Sequence, residues 1–550
     1  MKKFLTLLIV SLLPLSVFGS DYSASLLSYL KGYRSEAPDN AYNQYGAALK
    51  QNPNSSEIRT DMALLHIKKG ELDKAEELLQ KAVEIRPSNR NALILLAGIY
   101  ASKGVTYKAK AFYEKCIQLN NEDTEAYMYL GSIYATEKKY ADAVTIYEKI
   151  LAYDDDNIIA LYYAGRLTAE LKEYEKAKQY FTRVLYLKPF FEPALLDMGT
   201  IYEIEGKYEK ALNFYQVLIE SNPANKKARS RIASVFVKQK EYDKAIHAFE
   251  ELSDVDREDL SVRVRIGLLH LEQDRFDDAL KEFSFVLASK PDNNTVRLYL
   301  AMTWKEKGNL QKALDEFLKV DPKSEEFLSA LKQIAFIHIK RDTINEGIGI
   351  VQKYLPSSKQ KQDLYILLSM LYEEKADYLK GIEALEEARK IEPSNIEVLF
   401  QIGMLYEKKG EPDRALDIME NILKMEPEYP NALNFIGYSW AEKGIKLEEA
   451  EAMIKKALSK KPGDAYIIDS LGWVYYKKGN YRNALAEILK AHEALPDDPT
   501  ITEHLGDIHV ALKEYDKAFP FYEKSIQLEK DRKKKENIQK KIEMLKEQKK

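Results

Sequence analysis

Cysteine occurs once in 550 residues, so no internal disulfide can staple the chain. Glycine and proline number only 23 and 18, which excludes collagen-like and low-complexity chains. Histidine is scarce as well, with seven residues and no HExxH pair, and a zinc site needs ligands at such spacings. There is no glycine-rich phosphate loop, no GxSxG elbow and no alternating strand pattern, so the frameworks of nucleotide enzymes and serine hydrolases are missing. The expectation is a chain with no catalytic residue, no metal and no cofactor. Clustered basic charge is absent from the body: the net charge is -4, and the last stretch, 529–550, holds 10 basic and 5 acidic residues, leaving the rest acidic. An acidic body does not make a nucleic-acid groove.

Long apolar runs are also absent after the start. Met1 to Gly19 has Lys2 and Lys3, then a run of 15 residues from Phe4 to Phe18, then the small residues Gly19 and Ser20. A charged start, a short apolar middle and a small-residue cut site read as a signal peptide over 1–19. The run is shorter than the ~20 residues that span a bilayer, so no membrane span is expected after cleavage. No cysteine stands directly after the run, so the expected product is exported to the periplasm or cell envelope without a lipid. An uncleaved anchor is the alternative.

What the chain has in abundance is a period. From Ala41 to Ala518 a small residue recurs every 34 positions, with one step of 35 from Ala415 to Ala450 and with Gly347 and Gly381 in place of alanine. A second small series includes Gly131, Gly165, Gly199, Gly403, Gly437, Gly472 and Gly506. Small residues at a fixed step mark the places where paired helices approach closely. Between them, large residues at helical spacing, such as Leu130 with Tyr134, supply a core that no single repeat makes alone. Prolines 87, 189, 223, 291, 393, 427, 462 and 496 should end the second helix of each pair. The pattern slips at 253–259, where Arg257 stands in for proline, and at 320–326, where Pro322 comes three places early.

Ala465 to Asp498 carries Leu471, Gly472, Tyr475, Gly479, Ala484, Ala491 and Pro496 at the offsets of a tetratricopeptide repeat, and the chain resembles that family. The resemblance implies an all-α fold, a right-handed superhelical solenoid of helix-turn-helix units. Its expected organisation is a degenerate N-terminal capping repeat at 20–55, about 14 tandem repeats over 56–528, and a basic capping helix at 529–550 with Ile538, Ile542 and Leu545 on its docking side. Residues 431–458, followed by AYIIDSLGWVYY and ITEHLGD, also look like envelope tetratricopeptide proteins that deliver substrates to periplasmic carboxyl-terminal processing proteases. Many of those are lipoproteins, a point on which this chain departs from them.

In this family the first helices line the concave face and meet the ligand. At their fifth and ninth positions this chain has Ile94 and Gly98, Met128 and Ser132, Tyr162 and Arg166, which do not reproduce the family's Lys/Asn clamp for a carboxylate tail. Later the ninth position turns large and apolar: Met302, Phe336, Met370, Met404, Tyr438 and Trp473, with Phe400, Phe435 and Tyr476 on the same helices. Methionine and aromatic side chains grip apolar segments with little sequence demand. Two readings stand: a groove that takes an apolar segment of a protein or peptide, or a stripe of core between successive helices. The expected function is a non-enzymatic interaction scaffold or adaptor in the bacterial envelope. The alternatives are a structural part of a surface-polysaccharide or outer-membrane assembly machine, or the protease adaptor.

Four of the histidines, His66, His270, His338 and His509, fall where other repeats carry tyrosine, and are expected to replace a packing residue. Cys116 falls on a second helix where other repeats have alanine or leucine, and is expected to be buried and inert.

Overall fold

Each repeat forms two helices because the polar and small residues that punctuate it leave the chain little else to do. The structure, a computed structural model, describes residues 53–548 and, ahead of them, Tyr42, Tyr45, Gly46 and residues 48–50. The expected signal peptide and most of the expected N-terminal cap lie outside the described residues. The chain divides into two compact units, residues 1–269 and 270–550.

In the first unit the pairs run from Ser56–Lys69 with Leu72–Ile85 to Lys226–Lys238 with Tyr242–Val255. In the second they run from Asn294–Glu306 with Leu310–Phe317 to Pro499–Ala511 with Tyr515–Leu528, and a last helix, Arg532–Gln548, follows. No strand occurs among the described residues.

The ends of these helices follow from side-chain chemistry. Second helices stop two residues before their prolines, as Ile85 does before Pro87 and Ala494 before Pro496. The next first helix is then capped: the side chains of Asn89, Asp123, Asn157 and Asn225 in the first unit, and of Asn293, Asn395, Asp464 and Asp498 in the second, accept a backbone N–H of the opening turn. At Phe191 and Tyr429, which make no side-chain cap, Pro193 or Pro430 stands in the first turn instead. Between the helices of a pair one residue turns left-handed, such as Gly104 at φ 77°. That conformation suits glycine, yet Lys138 and Lys172 adopt it too, at 61° and 63°.

Close approach explains the small residues. The alanines of the main series from Ala75 to Ala518 are fully buried. A Cβ on Gly199 would lie 2.3 Å from Tyr215, and one on Gly472 would lie 2.3 Å from Ile488. At Gly381 it would meet Leu405 at 3.0 Å. The early proline has a visible effect: Leu310–Phe317 is only 8 residues long, and Val320 beyond it is buried in the turn.

The last helix closes the second unit as its apolar side predicts. Ile538, Ile542 and Leu545 are buried against Ala518 and Tyr522. No helix among the described residues is long and apolar enough to cross a membrane.

Candidate partner-binding face

The nine residues singled out from the sequence all fall on first helices of the second unit. Met302 lies on Asn294–Glu306, Phe336 on Phe327–Lys340 and Met370 on Lys361–Glu374. Phe400 and Met404 lie on Ile396–Lys409, Phe435 and Tyr438 on Pro430–Lys443, and Trp473 and Tyr476 on Ala465–Lys477. Their shared register does not give them a shared environment. Phe336 and Met370 are open to solvent, at 50% and 38% exposure. Met302, Phe400, Met404, Phe435, Tyr438 and Tyr476 are half-buried, with Phe400, Met404 and Phe435 packed over Leu399, Met419 and Ile436.

Trp473 is core. It is 5% exposed, stacked on Tyr476 at 4.6 Å and on His504 of the following first helix at 3.9 Å between ring centres. Its indole N–H donates to Glu442 across 3.1 Å. A flat ring between two others, with its one donor satisfied, has no face left for a ligand. The stripe is therefore open to solvent at Phe336 and Met370 and packed at Trp473.

Sequence reasoning missed the charge around the stripe. Carboxylates of four consecutive first helices, Glu407, Glu442, Asp469 and Glu503, surround Tyr438, whose phenol is pushed up by burial and then by Glu442, Asp469, Glu503 and Glu407 in that order. Reading the fifth and twelfth repeat positions through the second half of the chain would have exposed this pattern, since Asp469 and Glu503 are both fifth residues and Glu407 a twelfth. At the other end Lys305 lies over the Phe336 ring at 5.4 Å.

His504 and Asp469 form a buried pair, with Nδ1 at 2.9 Å from Oδ1. Burial lowers the imidazole's pKa, but the attraction of Asp469 outweighs it and the net direction is upward.

The first unit handles the same face differently. Its ninth positions are Gly98, Ser132, Arg166, Thr200, Ser234 and, half-open at the unit's end, Leu268. Charge there is largely answered from within: buried Glu203 accepts from Tyr215 at 2.5 Å and from Lys238 at 2.7 Å. On its second-helix side a cleft of about 560 Å³ opens between Leu212, Ile219, Phe236 and Ala248. It exists because Ala248 is small where the preceding repeats carry Leu78, Phe112, Ile146, Tyr180 and Phe214.

Of the four histidines in tyrosine positions, three behave as packing residues with one polar tie, whereas Nδ1 of the half-buried His270 has no hydrogen-bond partner. His66, His338 and His509 are buried, and Nδ1 of each faces a side chain five residues on: Glu71 at 2.6 Å, Thr343 at 2.8 Å and Glu514 at 2.7 Å. Burial pushes the Cys116 thiol up to about 12, which keeps it protonated and unreactive at neutral pH. Among the described residues, no three His, Cys, Asp or Glu side chains are grouped to hold a metal ion.

Profiles of the tetratricopeptide repeat match residues 33–99, 91–123, 130–190, 204–263, 264–325, 362–395, 400–465 and 470–532. The chain belongs to the tetratricopeptide repeat family. Tetratricopeptide arrays are protein-interaction scaffolds, and that general role extends to this one. No curated protein sequence matches the chain. Solved structures that resemble it include a tetratricopeptide repeat protein from Parabacteroides merdae ATCC 43184, 20% identical over 45% of this chain and 98% of that one, with a TM-score of 0.34. YrrB, described as a tetratricopeptide protein with an unusual peptide-binding site, is 22% identical over 36% of this chain and 99% of its own, with a TM-score of 0.30. The Cut9–Hcn1 hetero-tetramer of APC/C matches at 16% identity over 87% of this chain and 95% of its own, with a TM-score of 0.36. At these TM-scores it is the repeat profiles that carry the family assignment.

Proposed function

We propose that this tetratricopeptide protein is a non-enzymatic adaptor of the bacterial cell envelope, exported by its first 19 residues, that holds a partner protein or peptide on the first-helix face of residues 270–550. One observation carries the choice of face: Phe336 and Met370, one repeat apart in equivalent positions, leave large apolar side chains half-open where packing could have buried them. Exposed apolar area of this kind favours a partner by about 25 cal/mol for each Å² covered. Export rests on the composition of residues 1–19 alone.

The test is affinity capture by the processed full-length protein from its own cell envelope, beside Phe336→Ser/Met370→Ser. Loss of the captured protein with the variant is the expected result. Equal capture by both overturns the choice of face, and recovery of the chain in the cytoplasm with residues 1–19 intact overturns export. The identity of what is captured separates an adaptor for a protease from a part of an assembly machine.

A further inference from the structure

The charge beside the apolar stripe indicates what kind of segment it accepts, an inference that rests on the reading of this face as the binding surface. Phe336 and Met370 are open, and Met404 of the next repeat is half-buried. Glu407 follows Met404 by three residues and Glu442 follows Tyr438 by four, so each carboxylate stands one helical turn from a stripe residue, on the same side. Both are exposed. Asp469 and Glu503 of the next two first helices also bear on Tyr438, but are met within the chain by His504 and Lys541.

The chain itself shows how such carboxylates are met. Lys477 reaches Glu442 at 3.3 Å. Lys541 reaches Glu503 and Asp507, each at 2.7 Å, from the helix Arg532–Gln548, whose Ile538, Ile542 and Leu545 are buried. A basic amphipathic helix thus already sits beside these first helices, apolar residues inward and a lysine on the carboxylates. Along the first helices from Phe336 to Glu442 the same two features, open apolar side chains and exposed carboxylates, occur in neighbouring repeats, and no helix among the described residues covers Phe336 or Met370.

We propose that the first-helix face from Phe336 to Tyr438 captures a basic amphipathic segment of a partner protein. The segment's apolar side chains rest on Phe336, Met370 and Met404, and its lysines or arginines point to Glu407 and Glu442. Apolar contact supplies the affinity, and the carboxylates supply selectivity and a salt-sensitive association rate.

The test uses the processed full-length protein and two labelled helical peptides of about 18 residues with identical patterning, one of leucine and lysine and one of leucine and glutamate. Binding is followed by fluorescence anisotropy at about 0.05 and 0.5 M salt. The lysine peptide should bind at least ~10-fold tighter at low salt. Glu407→Gln/Glu442→Gln should erase most of that preference and its salt dependence, and the glutamine keeps an acceptor for the Trp473 indole. Phe336→Ser/Met370→Ser should weaken the lysine peptide about 10-fold at both salts, with circular dichroism unchanged.

Equal affinity for the two peptides, or a preference untouched by the glutamine variant, overturns the charge inference. If the serine variant still weakens both peptides in that case, the face survives as a binding surface. Unweakened binding by the serine variant, or no binding of either peptide by the native protein, overturns the face itself. Tighter binding of a peptide of residues 529–550 than of the lysine peptide overturns a foreign partner in favour of a second copy of this chain.

Discussion

The two units place their bulk differently. In residues 1–269 the aromatic residues of the second helices, Tyr113, Tyr147, Phe181, Tyr215 and Phe249, fill the space inside the pairs, and all are buried. The first-helix face there carries small or polar residues at its ninth positions, apart from Leu268 at the unit's end. In residues 270–550 the equivalent interior positions after Phe317 are mostly aliphatic, Val351, Leu385, Met419, Ile454 and Ile488, and the large residues stand on the first helices instead. One repeat grammar therefore tolerates two distributions of apolar volume. A large residue inside a pair serves only packing, whereas one moved to the first-helix face is available to a ligand unless a neighbour covers it.

The strongest way to break this comparison is Trp473→Ala. Because the ring is buried between Tyr476 and His504, the variant should lose about 3–5 kcal/mol in denaturant unfolding. A loss under ~1 kcal/mol would mean the ring is not core and the stripe is continuous. Next in size, Gly199→Val and Gly472→Val should each cost about 1–3 kcal/mol, since an added Cβ meets Tyr215 or Ile488 at 2.3 Å. Similar losses in the two units would show that the pair geometry is shared despite different fillers, and unequal losses would show that the aliphatic pairs yield more easily.

A third contrast is in pH. In the first unit, burial followed by the nearby Glu57 pushes the Asp61 carboxyl up to about 7. The folded state then holds this proton more tightly than the unfolded chain, so stability falls as pH rises from about 4 through 7. Asp61→Asn should remove about 1–2 kcal/mol of that fall, allowing for partial exposure. In the second unit His504 has its pKa raised by Asp469 against the effect of burial. Its contribution is complete below the unfolded histidine value of ~6.5 and is lost as pH rises through the folded value. Native-state hydrogen exchange should show Pro499–Ala511 loosening on the alkaline side, and His504→Gln should flatten that dependence.

The smallest stability effect should come from Phe336→Ser. With half of the side chain already in solvent, it should shift unfolding by no more than about 0.5 kcal/mol. A loss comparable to that of Trp473→Ala would make Phe336 core as well and remove the groove.

The array was legible because its grammar is local. The 34-residue step of Ala75 to Ala518 reports helix contacts within and between adjacent repeats, and the prolines and capping Asn or Asp residues act within a few positions of themselves. The burial of Ile538, Ile542 and Leu545 followed from their spacing, and that of Cys116, His66 and His338 from the residues they replace. The acidic surroundings of Tyr438 were less visible, because Glu407, Glu442, Asp469 and Glu503 are spread over almost a hundred residues and meet only through the stacking of four first helices.

By itself the sequence determined the family, the helix pairs, the register of the stripe and the closing helix, since each depends on residues that act on near neighbours. Only the tertiary structure decided which stripe residues are free. Trp473 and Phe336 hold the same repeat position, yet one is 5% and the other 50% exposed. The physical reason lies in what each ring meets: His504, presented across the gap by the next first helix, and Tyr476 of the same helix close over the indole, whereas Phe336 is met by the flexible Lys305 at 5.4 Å. What a repeat position does is set by the side chain its neighbour presents, and that is a property of the stacked helices.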